Sequence, residues 1–159
     1  MAGLNLSQIK RLWIQPALQA IGLDDPAHLN IVTGIGLVES GYVWLEQLNG
    51  GPAKGFWQME PQTHDDIWRN SLPAPCRSRV ASGLARLLFG QPHNAELMVD
   101  LPKYGAGMCA TKILLAPEPI PAADDAAGQA QYHKRWYNSP LGSACILANI
   151  PDFQAAIAA

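Results

Sequence analysis

Apolar residues recur at intervals of three and four along most of the chain, which is the spacing of an amphipathic helix. The clearest run follows Asp25-Pro26, where an acidic cap precedes a proline at the first helical position, and it stops at Gly41. Its apolar positions are Leu29, Ile31, Val32, Ile35 and Val38. The pattern predicts a mainly α fold with a helix between Asp25 and Gly41.

Prolines and glycines divide the rest of the chain into further predicted helices. An N-terminal helix capped by Ser7 should be kinked or split at Pro16. The other predicted helices lie near 61–70, 77–90, 94–115 with an interruption at Pro102, 126–138, and from Pro151 onward. Residues 43–57 are expected to form a loop or at most a small β-hairpin, and 116–125 a proline-rich, acidic surface loop.

Length and composition favour a well-buried domain. The 159 residues are predicted to form one domain, 1–159. The charged fraction is 15%, against about 25% in an average soluble protein. The net charge is -2 and there is no basic run, so no nucleic-acid partner is expected. No run approaches the roughly 18 apolar residues of a membrane span, so no membrane insertion is expected.

The cysteines and histidines lack the spacing of a metal site, and neither a metal nor a cofactor is predicted. Asp65 and Asp66 follow His64, but adjacent residues do not share a helix face. The cysteines are expected to be reduced and mostly buried; they are Cys76, Cys109 and Cys145. Residues 1–13 mix polar and apolar side chains, so synthesis in the cytoplasm without a signal peptide is expected.

Glu39 lies in the last turn of the predicted helix that Gly41 ends. The apolar neighbours and the negative end of the helix dipole both disfavour a charged carboxylate. A carboxylic acid that keeps its proton near neutral pH can act as the general acid of glycosidic bond cleavage. The alternative is an ordinary surface glutamate at a helix end.

Aromatic side chains near Glu39 in sequence are available to exclude water from a site and to stack on sugar rings; they are Tyr42, Trp44, Phe56 and Trp57. A core position is the competing expectation for Trp44, as it is for Trp13 and Trp68. The core is the favoured expectation for all three tryptophans.

Three motifs occur in order: Glu39-Ser40, then Gly55-Phe56-Trp57-Gln58-Met59-Glu60-Pro61-Gln62-Thr63, then Tyr137-Asn138. Together they resemble the lysozyme-like superfamily, in particular lytic transglycosylases and goose-type lysozymes, over about residues 25–150. The stretch 136–142 resembles cell-wall-degrading proteins of bacteriophage genomes. Trp57, Glu60 and the Ser-Pro after Asn138 depart from the family pattern, which leaves the sugar subsites less defined than the acid.

The resemblance implies a lysozyme-like helical domain that cleaves the β-1,4 bond between N-acetylmuramic acid and N-acetylglucosamine in peptidoglycan. Glu39 would be the catalytic residue. The implied substrate-binding residues are Ser40, Gly55, Phe56, Trp57, Gln58, Met59, Glu60, Tyr137 and Asn138. A lytic transglycosylase, which forms 1,6-anhydro-muramic products with one glutamate, is favoured. The alternatives are a hydrolytic muramidase (an endolysin), a chitinase-type enzyme, and a non-catalytic peptidoglycan-binding or virion assembly protein.

A second carboxylate near Glu39 would distinguish a two-carboxylate glycosidase from a transglycosylase with one glutamate. Retaining glycosidases hold the two carboxyl groups about 5 Å apart, and inverting ones about 6.5–9.5 Å apart. The candidates are Glu46, Glu60, Asp65 and Asp66, and a solvated position is the stronger expectation for each. The expected partners are glycan strands, with phage particle or lysis-system proteins as further candidates, and a monomer is expected. The expected place of action is the bacterial cell wall or periplasm, as a lysis enzyme or a virion component.

Overall fold

A computed structural model describes residues 4–138 and 145–159 of the chain. The predicted mainly α fold is confirmed. The α-helices are α1 (Leu6–Ile9), α2 (Gln15–Ile21), α3 (Pro26–Ser40), α4 (Pro61–Asp66), α5 (Ser78–Leu87), α6 (Leu97–Asp100), α7 (Pro102–Leu114), α8 (Ala126–Tyr132) and α9 (Ile146–Ala158). Helical turns of the π type follow α1, α4 and α8, at Lys10–Ile14, Ile67–Ser71 and His133–Tyr137. Short 3-10 turns lie at Leu48–Gly50 and Pro75–Arg77.

The N-terminal helical run continues through Pro16. Its cap is Asn5, whose side chain accepts from the backbone N–H of Gln8, so the prediction that Ser7 is the cap is wrong. The predicted break takes the form of the π-helical turn Lys10–Ile14, which directly precedes α2. Such a turn shifts the hydrogen-bond register, and this accommodates a proline that has no N–H to donate.

Helix α3 has the predicted signals at both ends. The Asp25 carboxylate accepts from the N–H groups of Ala27 (3.0 Å) and His28 (3.2 Å), and Pro26 is the first helical residue. Gly41 ends the helix in the left-handed conformation, with φ of 59°. These local signals fix where the helix ends, and therefore where Glu39 lies.

Helix α9 begins at Ile146, so the prediction that it starts near Pro151 is wrong. Its Phe153 is fully buried and packs against Gly34 of α3, where a Cβ atom would lie 2.2 Å from the ring. This packing offsets the hydrogen bond that Pro151 cannot donate. Tertiary contacts therefore override the local helix-breaking signal.

The middle of the chain follows the predicted divisions closely. Pro61 is the first residue of α4, as expected, and the interruption expected at Pro102 is the boundary between α6 and α7, with Pro102 as the first residue of α7. Helix α5 ends at Leu87 rather than at Gly90, because the chain turns into the left-handed region at Phe89, with φ of 51°.

The segment 43–57 forms a loop with isolated antiparallel bridges and, within the described residues, no strand. The bridges join Glu46 to Lys54 and Lys54 to Met59. This agrees with the expected loop or small hairpin. The loop lies between α3 and α4 in the chain and forms much of one wall of the site described below.

The thiols are free, but only Cys109 is buried, whereas Cys76 and Cys145 are exposed. The expectation of mostly buried cysteines is therefore wrong for two of them. Among the described residues, no helix combines the length and the apolar character that crossing a bilayer requires.

Candidate active site

One cleft brings together the three sequence motifs. Its volume is about 660 Å³, within the range of roughly 300–1,000 Å³ that is usual for ligand sites. The end of α3 contributes Glu39, the turn before α4 contributes Gln58 and Glu60, and the end of the α8 helical run contributes Tyr137 and Asn138. The remaining lining residues are Trp44, Gln47, Leu48, Asn49, Ala53, Thr63 and Lys112.

Glu39 is held by a histidine that is 94 residues away in sequence. Its Oε1 lies 2.6 Å from His133 Nε2, and the histidine side chain is fully buried while the carboxylate is 17% exposed. The other ring nitrogen of His133, Nδ1, is buried without a hydrogen-bond partner in the described part of the chain. This asymmetry determines which nitrogen carries the proton.

A buried N–H without an acceptor is the rarer and less favourable situation, so Nδ1 is the deprotonated nitrogen. His133 is then neutral and donates its Nε2–H to Oε1 of Glu39. The second carboxyl oxygen, Oε2, has no hydrogen-bond partner among the described residues. The histidine therefore fixes the orientation of the carboxyl group and leaves one oxygen for the cleft.

Tyr137 packs against His133. Its ring stacks on His133, with the centroids 5.8 Å apart and the planes at 24°. Its hydroxyl donates to the carbonyl oxygen of Trp57 at 2.7 Å. Burial raises the pKa of Tyr137 well above its ordinary value, so the phenol remains a donor. Tyr137 thus contacts Glu39 through His133 and does not bond to the carboxyl group directly.

The turn before α4 has a strained backbone. Gly55 has φ of 71°, and a Cβ atom there would lie 2.6 Å from the carbonyl oxygen of Met98. Gln58 also lies in the left-handed region, with φ of 47°, and its Nε2 donates to the Gly55 carbonyl at 2.9 Å. A left-handed residue other than glycine costs on the order of 1–3 kcal/mol and is common at functional sites. The turn aims the Gln58 side chain at the cleft.

Three predicted substrate-binding side chains lie in the core instead of the cleft. Phe56, Trp57 and Met59 are 6%, 1% and 1% exposed. Trp57 Nε1 donates to the carbonyl of Val32 in α3 at 2.9 Å, and Phe56 stacks on Trp13. The expectation that these side chains contact sugar is corrected, because they anchor the turn to the core.

Ser40 is also structural. It is buried, its hydroxyl donates to the Gly36 carbonyl at 3.2 Å, and its Oγ accepts from the N–H of Tyr42 at 3.1 Å. Tyr42 in turn donates to the Thr33 carbonyl at 3.0 Å. Ser40 therefore closes the end of α3 and keeps the turn after Glu39 in place, and it does not line the cleft.

Sequence reasoning missed Lys112 and His133 and favoured the core for Trp44. Trp44 is 49% exposed and lines the cleft, so the expected core position is wrong. His133 precedes Tyr137 by four residues, a spacing that places both on one helix face, and this was the available signal. No local pattern pointed to Lys112.

Of the four carboxylates proposed as partners of Glu39, only Glu60 lines the same cleft. The others have partners elsewhere: Glu46 with Lys54 (2.9 Å), Asp65 with His64 (2.8 Å) and Asp66 with Asn70 (2.6 Å). In the described residues, no group of three or more His, Cys, Asp or Glu side chains is arranged to hold a metal ion.

The chain matches no protein-family model, no curated protein and no solved structure. The resemblance to lysozyme-like enzymes therefore rests on the residues of the chain itself. The cleft that Glu39, Gln58 and Tyr137 line together is the basis for a functional proposal.

Proposed function

We propose that this protein has a lysozyme-like fold and cleaves peptidoglycan glycan strands at the β-1,4 bond between N-acetylmuramic acid and N-acetylglucosamine, with Glu39 as the catalytic acid. The observation that supports this most directly is the Glu39 carboxyl group, held by the buried His133 at one oxygen and facing a polar cleft. Such a site would act at the bacterial cell wall, either in lysis or as part of a virion.

In the proposed first step, Glu39 is protonated on Oε2 while Oε1 accepts the Nε2–H of His133. The proton passes from Oε2 to the leaving glycosidic oxygen as its bond to the anomeric carbon breaks. The acetamido group of the muramic sugar assists by forming a bond to the anomeric carbon, a recognised alternative to a carboxylate nucleophile.

In the proposed second step, the Glu39 carboxylate accepts the proton of the muramic C6 hydroxyl. The C6 oxygen bonds to the anomeric carbon, the acetamido group is released, and a 1,6-anhydro sugar forms. Glu39 is then protonated again. A water molecule in place of the C6 hydroxyl would give the hydrolysed product by the same proton transfers.

The rest of the cleft supplies groups suited to a sugar polymer. Trp44 offers an aromatic face, and Gln58 and Asn138 offer amide donors and acceptors. The wall formed by the 43–57 loop combines the polar side chains of Gln47 and Asn49 with the apolar ones of Trp44, Leu48 and Ala53, so it offers both hydrogen-bonding groups and packing surface to a sugar.

Mass spectrometry of digested peptidoglycan tests the proposal. A transglycosylase releases anhydro products, each one water lighter than the hydrolysed equivalent. Release of hydrolysed products would replace the proposal with a muramidase. Intact glycan with bound protein would replace it with a non-catalytic wall-binding or particle-assembly role.

A hydrolytic muramidase is the second candidate, because Glu60 lines the same cleft as Glu39 and offers a second carboxylate. The Glu60→Gln variant separates the two reactions. Loss of all cleavage in this variant would favour a muramidase with two essential carboxylates. Retention of anhydro-product formation would favour the single-glutamate mechanism.

A further inference from the structure

Lys112 is the one cation that lines the cleft within residues 4–138 and 145–159. It lies in the last turn of α7, and its Nζ donates to the carbonyl oxygen of Tyr137 at 2.7 Å. The ammonium group also stands 4.0 Å from the centroid of the Tyr137 ring. The lysine therefore has a fixed position on the same side of the cleft as Tyr137.

The ammonium group of Lys112 has no carboxylate partner in the described part of the chain. Lys54, at the nearby loop, differs in this respect, because its Nζ lies 2.9 Å from Glu46 and 3.3 Å from Glu96. An ammonium has three N–H donors, and Lys112 uses one of them on a carbonyl. Among residues 4–138 and 145–159, the other two N–H groups have no hydrogen-bond acceptor.

Burial of such a group is unfavourable, and it lowers the pKa of Lys112, although the carboxyl groups of Glu39 and Glu60 act in the opposite direction. A purely structural lysine would be better replaced by an apolar residue at this position. A partly buried lysine with a lowered pKa, held at a fixed position in the lining of a cleft, is a candidate for a functional group.

We infer that Lys112 binds a carboxylate of the substrate and makes the cleft selective for glycans that carry one. This inference rests on the proposed function. Muramic sugars carry a lactyl group whose carboxyl is either free or linked to a stem peptide with carboxylates of its own, whereas N-acetylglucosamine polymers carry none. The other ionisable acids and bases that line the cleft in the described residues are Glu39, Glu60 and Tyr137, so without Lys112 the cleft would offer no positive charge to an anionic substrate.

The test pairs a change in the enzyme with a change in the substrate. Two soluble glycan strands are prepared, one free of peptide and one bearing peptide. Each is used with its carboxylates free and with its carboxylates converted to methylamides. The value of kcat/KM is measured on all four substrates for the wild type, for Lys112→Met and for Lys112→Arg. Cleavage by the wild type tests the proposed function, and the free-to-amidated ratio within each enzyme tests the inference.

The wild type should prefer the free carboxylate by about tenfold or more, the size expected for one hydrogen bond between charged groups. Lys112→Met should cut free and amidated strands equally, and Lys112→Arg should keep part of the preference. If only peptide-free strands show a preference for the free carboxylate, Lys112 binds the lactyl carboxylate. If only peptide-bearing strands show it, Lys112 binds a carboxylate of the peptide. Equal cleavage of free and amidated strands by the wild type, or an unchanged preference in Lys112→Met, overturns the inference. Absence of any cleavage by the wild type overturns the proposed function, and this inference with it.

Discussion

Glu39 and His133 form a 2.6 Å hydrogen bond between the end of α3 and the first residue after α8. The histidine is fully buried, and its second ring nitrogen has no partner in the described residues. The pair therefore has a defined direction: the imidazole donates, and the carboxyl group keeps one oxygen for the cleft. The following predictions depend on this arrangement and on the cleft around it.

Replacing His133 should impair catalysis more than binding. His133→Phe keeps a buried ring but removes the donor, so the Glu39 carboxyl group loses its fixed orientation. We expect kcat on soluble glycan strands to fall by about 100-fold, the size typical of a misplaced catalytic group, with KM nearly unchanged. His133→Gln retains an N–H donor and should recover part of the activity. An equal loss in both variants, tracked by a lower melting temperature, would indicate a structural role only.

Removing the exposed indole of Trp44 should weaken substrate binding. Trp44→Ala should raise KM by about two- to tenfold, since an aromatic stacking contact contributes roughly 0.5–1.5 kcal/mol. Its stability should change little, because the side chain is 49% exposed. Phe89→Ala is the matched control, since Phe89 is 75% exposed and does not line the cleft. A rise in KM of the same size in both variants would contradict a specific contact at Trp44.

The left-handed backbone at Gln58 allows a substitution that should lower activity without lowering the stability of the fold. Asparagine adopts this conformation readily, so Gln58→Asn should keep or slightly increase the free energy of unfolding. Its shorter amide should not reach the substrate, and activity should fall by about tenfold, the loss of one hydrogen bond. Phe89→Asn, at a second left-handed position, should stabilise the fold without affecting activity. Unchanged activity in Gln58→Asn would remove Gln58 from the binding site.

The sequence predicted the helix boundaries where the deciding signal is local. Asp25-Pro26 and Gly41 bound α3, and Pro102 starts α7, because caps and prolines act within one turn. The predicted start of α9 was wrong because this helix is held in place by the contact between Gly34 and Phe153, which joins distant parts of the chain.

The site was predicted unevenly for the same reason. The motifs identified Glu39, Gln58 and Tyr137, and the cleft brings these three together. The position of Lys112 depends on how α7 packs beside α3, which no local spacing encodes, and the spacing of His133 and Tyr137 places them on one helix face without indicating that this face meets Glu39. Phe56 and Trp57 were assigned to sugar binding, but an aromatic residue next to a motif can equally serve the core, and only the fold distinguishes the two roles.

A buried network below α4 should make stability depend on pH. Trp68 Nε1 donates to the Tyr104 hydroxyl (2.8 Å), which donates to His64 Nε2 (2.6 Å), and His64 Nδ1 donates to Asp65 (2.8 Å). The direction follows because an indole N–H can only donate. Burial lowers the pKa of His64, which Asp65 partly opposes and His93 reinforces.

Because folded His64 resists protonation, the unfolded chain binds more protons once the pH falls below the unfolded histidine value of about 6.5. The free energy of unfolding, measured with urea, should therefore decrease from pH 7.5 towards pH 5. His64→Gln should be less stable at pH 7.5 and should show a smaller decrease over this range. An identical pH dependence in the wild type and His64→Gln would contradict the assigned protonation of the network.

The most direct test of the central claim is the release of soluble products from purified peptidoglycan by the wild type, Glu39→Gln and Glu96→Gln. Both substitutions remove one carboxyl group and keep the size of the side chain, but Glu96 does not line the cleft. We predict that Glu39→Gln lowers the rate by about 10²–10⁴-fold, as expected for the loss of a general acid, while Glu96→Gln retains the wild-type rate. A Glu39→Gln rate within a few-fold of the wild type would contradict the proposed role of Glu39.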